Sequence, residues 1–232
     1  MIRRGFNLII VTAFFLSIIT AFAAKLPEPI KIACIGDSIT FGAGIKDRHK
    51  NSYPAQLAAA LGEKWSVKNY GVNAATLLKK GDKPYWKLEQ YKAALEYKPD
   101  FVLIKLGSND SRPENWKFKA EFVPDYVELI QSFQKLDSKP TVWICYPVPA
   151  YPGFWGITDK IIKKEVIPLI DKVAKKSNVK IIDLYTALSD KKQMFPDTVH
   201  PNAAGAKLIA ETIFMAIIEN SWGNSRDRIH NY

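Results

Sequence analysis

The sequence predicts a three-layer α/β fold in which five parallel strands, ordered 2-1-3-4-5, are covered by helices on both faces. Three observations carry that expectation. Five short runs, mostly apolar, recur along the 232 residues, as the strands of a parallel sheet do. Helical stretches separate the runs, and right-handed crossovers then leave few topologies. Several runs end in glycine or small polar residues, and those ends gather on one edge of the sheet. In this flavodoxin-like order a crevice opens there, where the winding reverses between strands one and three.

Residues 30–36, IKIACIG, form the first strand; Gly36 closes it and delivers Asp37 and Ser38 into a tight strand-to-helix turn. A polar loop over 42–52 leads to an alanine-rich helix over 53–61, begun by Pro54 and ended by Gly62. The second strand, 65–70, runs into Gly71, and a helical stretch over 84–97 stops before Pro99. Residues 100–106, DFVLIKL, give the third strand, which ends at Gly107-Ser108-Asn109-Asp110. Apolar residues at helical spacing mark 119–136, and the fourth strand follows at 141–146. A Pro-rich aromatic loop, 147–156, a long helix over 158–176, a fifth strand over 179–184 and a last helix over 201–218 complete the pattern.

The chain ends are expected to be separate from this domain. Arg3 and Arg4 precede an apolar run over 8–19 and the small-x-small triplet Ala21-Phe22-Ala23, which reads as a signal peptide over 1–23. Cleavage after Ala23 would export the protein to the periplasm or beyond. No second hydrophobic stretch follows, so no membrane insertion is expected afterwards. One domain over 24–220 then precedes a polar tail over 221–232. The formal charge of +10 falls to +8 when the two leader arginines go. The lysines are scattered among acids, which excludes the basic stripe of a nucleic-acid binder and leaves an anionic or glycan partner compatible. Cys34 and Cys145 fall in strands that a third strand separates, too far apart to bridge. Two buried free thiols are expected.

Strands one to three deliver Ser38, Gly71 and Asn109 to one edge, while Asp197 and His200 stand three residues apart before the last helix. Serine is a poor nucleophile at its own pKa and requires a base within hydrogen-bond reach, and the base requires an acceptor that fixes its tautomer. Taken singly, each residue has an ordinary structural reading: a helix cap, a turn glycine, an Asx-turn asparagine, a helix start. His49 lies in a polar loop with no carboxylate block near it, and His230 is in the tail.

GDSIT around Ser38, NYGVNAATL around Gly71, GSND around Asn109 and DTVH around Asp197 and His200 together resemble the SGNH (GDSL-like) esterase family. The blocks occur in family order across nearly the whole mature chain. The resemblance implies Ser38 as nucleophile, His200 as base and then acid, and Asp197 as its orienting carboxylate. It also implies an oxyanion hole from the Ser38 and Gly71 backbone amides and the Asn109 side chain, without metal or cofactor. Ile39 stands where the family's eponymous form has Leu, which touches packing and not chemistry.

The segment KLGSNDSRPENW is similar to exported bacterial sialate or xylan O-acetylesterases. With a leader, aromatic loops and no apolar lid helix, the expected activity is that of a carbohydrate O-acetylesterase, acting on a short-chain acyl ester of a small molecule or glycan. A lysophospholipase or thioesterase, or a non-catalytic glycan-binding module, is the alternative; an FMN flavodoxin gives no reason for Asp197 and His200 to accompany Ser38. Arg112, Trp116, Tyr151 and Trp155 are candidate substrate contacts, and Trp86 and Tyr146 lie beside the same edge. For Arg112, which could meet a substrate carboxylate, a surface salt bridge is the better reading. Lys105, inside an apolar strand, reads as a snorkelling or ion-paired structural lysine rather than a catalytic one.

Overall fold

A computed structural model describes residues 28–152 and 156–229, so the leader expected over 1–23 lies outside the described residues. The strands β1 (Ile30–Gly36), β2 (Trp65–Gly71), β3 (Phe101–Lys105), β4 (Thr141–Cys145) and β5 (Lys180–Ile182) form one sheet. All pairings are parallel and the order is β2-β1-β3-β4-β5, as the sequence predicts. The helices are α1 (Ser38–Phe41), α2 (Arg48–Asn51), α3 (Tyr53–Leu61), α4 (Glu89–Glu96), α5 (Pro113–Trp116), α6 (Phe122–Gln134), α7 (Asp159–Ile161), α8 (Ile167–Ser177), α9 (Leu184–Leu188) and α10 (Ala203–Ile229). None is long and apolar enough to cross a membrane among the described residues.

The strand side chains alternate between two cores. Ala33, Ile35, Val102, Ile104 and Ile144 pack under Phe122, Tyr126 and Leu129 of α6. Ile32, Cys34, Leu103, Trp143 and Cys145 pack under Leu57 of α3 and Ile209 and Ile213 of α10. Each fully buried aliphatic side chain contributes about 1.5–3 kcal/mol, so the central strands are held from both sides. Both cysteines are buried and free. Burial is the main reason the Cys34 thiol lies far above its usual range and that of Cys145 is pushed up to about 12.

Three departures from the expected elements have local causes. The stretch over 84–97 is a 3₁₀ turn, Tyr85–Lys87, and then α4, because Leu88 between them is extended. The helix over 158–176 is interrupted by a π-helical turn, Ile162–Val166, just before Pro168. That proline has no N–H for the carbonyl of Lys164, and its ring crowds that carbonyl. The last helix continues to Ile229 instead of stopping near 218.

Candidate active site

In register, Gly36 pairs with both Gly71 and Lys105, which aligns the carboxyl ends of β2, β1 and β3. A Cβ on Gly36 would come 2.0 Å from Thr40 Oγ1. Only glycine lets α1 fold back this tightly over the strand end. Asp37 caps α1 by accepting from Ile39 N at 3.0 Å. Ser38 is thereby placed in the first turn, 8 % exposed and facing the crevice.

The Ser38 hydroxyl lies 2.7 Å from His200 Nε2, and His200 Nδ1 lies 2.6 Å from Asp197 Oδ2. The neutral ring with its proton on Nδ1 satisfies both contacts, donating to the carboxylate and accepting from the serine. Asp197 Oδ1 also accepts the backbone N–H groups of His200 and Val199, at 2.7 and 3.1 Å. Partial burial alone would raise the Asp197 carboxyl; the backbone and ring N–H groups of His200, with Val199 N–H, outweigh it and hold the group below its usual value. Acceptor, base and hydroxyl thus stand in line, the arrangement that removes a proton from an attacking serine.

A cavity of about 330 Å³ opens over this line, walled by Ser38, Asn73, Ala74, Asn109, Arg112 and Ile157, with Asp197 and His200 on its rim. Asn109 commits an amide hydrogen to Ala75 O at 3.0 Å, which fixes its side chain beside the loop that carries Asn73 and Ala74. The main-chain carbonyl of Asn109 accepts from Asn115 Nδ2 at 2.9 Å and Arg112 Nε at 3.3 Å. The next residue, Asp110, is fully buried and grips the same loop through Leu77 N and Leu78 N at 3.0 and 2.8 Å. Burial raises the Asp110 carboxyl to about 7 against the lowering effect of those N–H groups.

Four sequence expectations need correction or lie out of reach. Gly71 does not line the cavity: its N–H donates to Asn69 Oδ1 at 2.9 Å, and a Cβ there would meet Phe41 N at 2.2 Å. This glycine permits β2 to abut α1, and the cavity wall is supplied by Asn73 and Ala74. Ala74 has φ 62°, a left-handed conformation that alanine seldom adopts. Trp116 is a core residue, 6 % exposed, with its indole donating to Glu165 at 2.8 Å and its ring edge-on to Phe122. Tyr151 turns its hydroxyl to the carbonyls of Leu188 and Ser189 and packs on Phe195. Its backbone N–H donates to Thr198 O at 2.8 Å, bracing the segment between Asp197 and His200. Trp155 lies outside the described residues.

Of the remaining candidates, Trp86 and Tyr146 are also engaged structurally, donating to Leu77 O and to Asp171 respectively. Arg112 does reach the cavity wall, held by a 2.6 Å salt bridge to Asp82. Lys105 is fully buried against Asp37 at 3.0 Å, as the ion-paired reading required. No cluster of three or more His, Cys, Asp or Glu suited to a metal occurs among the described residues. Sequence reasoning missed Asn73, Ala74 and Ile157. The asparagine, a frequent turn residue, was their only mark.

Comparison with known proteins places this geometry. The model of the GDSL-like Lipase/Acylhydrolase family matches residues 34–208. An acetylxylan esterase of Xylanibacter ruminicola is 43% identical over 212 residues, covering 84% of this chain but 44% of that protein. The chain therefore spans less than half the length of this relative. Among solved structures, Est24, a carbohydrate acetylesterase from Sinorhizobium meliloti, superposes with a TM-score of 0.68 at 18% identity, covering 82% of this chain and 99% of that one. A two-domain esterase active on acetylated mannans gives a TM-score of 0.61 at 21% identity, over 83% of this chain and 50% of that one. These two likenesses are of fold.

Proposed function

The chain belongs to the GDSL-like lipase and acylhydrolase family, and on that footing we propose that it is a serine esterase that removes O-acetyl groups from a carbohydrate. The observation that carries the proposal is the line Ser38 Oγ, His200, Asp197, with both contacts at hydrogen-bond distance. In this reading Ser38 attacks the ester carbonyl as His200 takes its proton; His200 then returns that proton to the departing sugar oxygen. Water, activated by the same ring, releases acetate from the acyl-serine. Asp197 keeps the ring oriented and offsets its charge. The acyl oxygen is held by the Ser38 and Ala74 main-chain N–H groups and the Asn109 amide, Ala74 replacing Gly71.

A neutral glycan of the xylan type is favoured over a sialate. Arg112, the cation on the cavity wall, already spends its charge on Asp82, and the 43% identical relative is an acetylxylan esterase. Export with removal of 1–23 belongs to the same proposal; N-terminal sequencing of extracytoplasmic material is its test, with Ala24 expected as the first residue.

The test is release of 4-nitrophenol from the acetate and octanoate esters by wild type and Ser38→Ala, followed by acetate release from acetylated xylan and O-acetyl sialic acid. Acetyl preference abolished in the variant, with xylan ahead of sialate, is the expected result. Octanoate preference moves the assignment to lysophospholipase or thioesterase. Equal trivial rates in both proteins leave a glycan-binding module.

A further inference from the structure

We propose that Lys105 is a positioning residue for this reaction: by pairing with Asp37 it cancels the buried carboxylate adjoining the nucleophile and ties the Ser38 turn to the Asn109 loop. The inference rests on the esterase reading above. Strand β3 is apolar through Ile104 and then buries a full ammonium at position 105, 0% exposed. An aliphatic residue would suit the strand pattern better, so packing alone does not ask for lysine.

Nζ lies 3.0 Å from each Asp37 oxygen and 3.2 Å from Ser108 Oγ. Asp37 immediately precedes Ser38, and Ser108 immediately precedes Asn109. One ammonium therefore joins the two turns whose donors flank the acyl oxygen. Its charge matters as much as its reach. Negative charge gathers on that oxygen as Ser38 attacks, and an unpaired Asp37 in the dry interior would oppose it, since electrostatic effects are strongest there. Asp110 adds a second fully buried carboxylate to the same block, and Lys105 is the only fully buried cation among the described residues. The reciprocal arrangement also leaves Asp37 free to cap Ile39 N.

The test compares wild type, Lys105→Met and the charge-balanced Asp37→Asn/Lys105→Met pair on 4-nitrophenyl acetate, with thermal unfolding of each. The single variant is expected to lose about 100-fold in kcat with KM little changed, and the pair to regain at least about tenfold of that. An inactive wild type defeats the esterase reading itself. With an active wild type, a folded Lys105→Met within about threefold in kcat, or a pair no faster than the single variant, makes Lys105 merely structural and overturns the inference. Should the single variant not fold, the pair decides: kcat about threefold to tenfold below wild type with KM little changed supports the proposal, whereas kcat within about threefold makes Lys105 merely structural and a loss beyond about tenfold removes the charge-balance argument, either of which overturns it.

Discussion

On one side of the cavity, Asp197 and His200 lie on a rim loop, and their carboxylate, ring and backbone groups are joined within four consecutive residues. On the other, Asp37, Lys105, Ser108 and Asn109 are buried, and the Asp37–Lys105 contact spans 68 residues of sequence. The first side keeps its shape through local hydrogen bonds; the second exists only when β1 and β3 are in register. Changes on the rim should therefore cost rate with little stability. Changes at the strand ends should cost both.

The sharpest way to break that contrast is His200→Ala. Loss of the base should lower kcat by about 10⁴- to 10⁶-fold, with Asp197→Ala less severe, while the melting temperature barely moves. A large drop in melting temperature would show that the rim supports the fold. Asn109→Ala comes next, with kcat down about 10²- to 10³-fold. Here unfolding in urea should also reveal about 1–3 kcal/mol lost, because Ala75 O is left unpaired.

Asp110 sharpens the comparison through pH. Its folded value, about 7, lies above that of an unfolded carboxylate, so the folded state holds the proton more tightly. The stabilisation is complete below the unfolded value near 4 and is lost as pH rises through about 7. The stability of wild type relative to Asp110→Asn should fall by a few kcal/mol between pH 4.5 and 8. A constant difference would mean that Asp110 is ionised throughout. Smallest is Gly71→Ala, expected to cost about 1–3 kcal/mol through the clash with Phe41 N. Its effect belongs chiefly in the melting temperature, with a smaller loss in kcat because the displaced backbone is that of α1, which begins at Ser38.

The contrast also explains what the sequence discloses. Strand order was readable because the central strands β1, β3 and β4 are mostly apolar runs separated by helices, and Asp197 and His200 because their spacing is local. Lys105 was legible as paired, but its partners are distant in sequence and only strand register names them. Gly71 was misassigned because a glycine in NYGVNAATL suits a backbone donor and a tight packing contact equally. The φ of Ala74 leaves no trace in its residue type. Trp116 and Tyr151 show a similar ambiguity: an aromatic ring in a loop fits a sugar and a core alike, and here the core takes both. The π turn before Pro168 interrupts a helix whose apolar periodicity continues across it.

Ser38 and His200, in hydrogen-bond contact, are separated by 162 residues. At ribosomal elongation rates, Ser38 emerges on the order of ten to thirty seconds before His200. Throughout that interval the nascent chain carries an inert serine. On the proposed mechanism competence waits for the loop that carries Asp197 and His200, so a truncated or stalled product ending before residue 197 contains every strand of the sheet and should still cleave nothing.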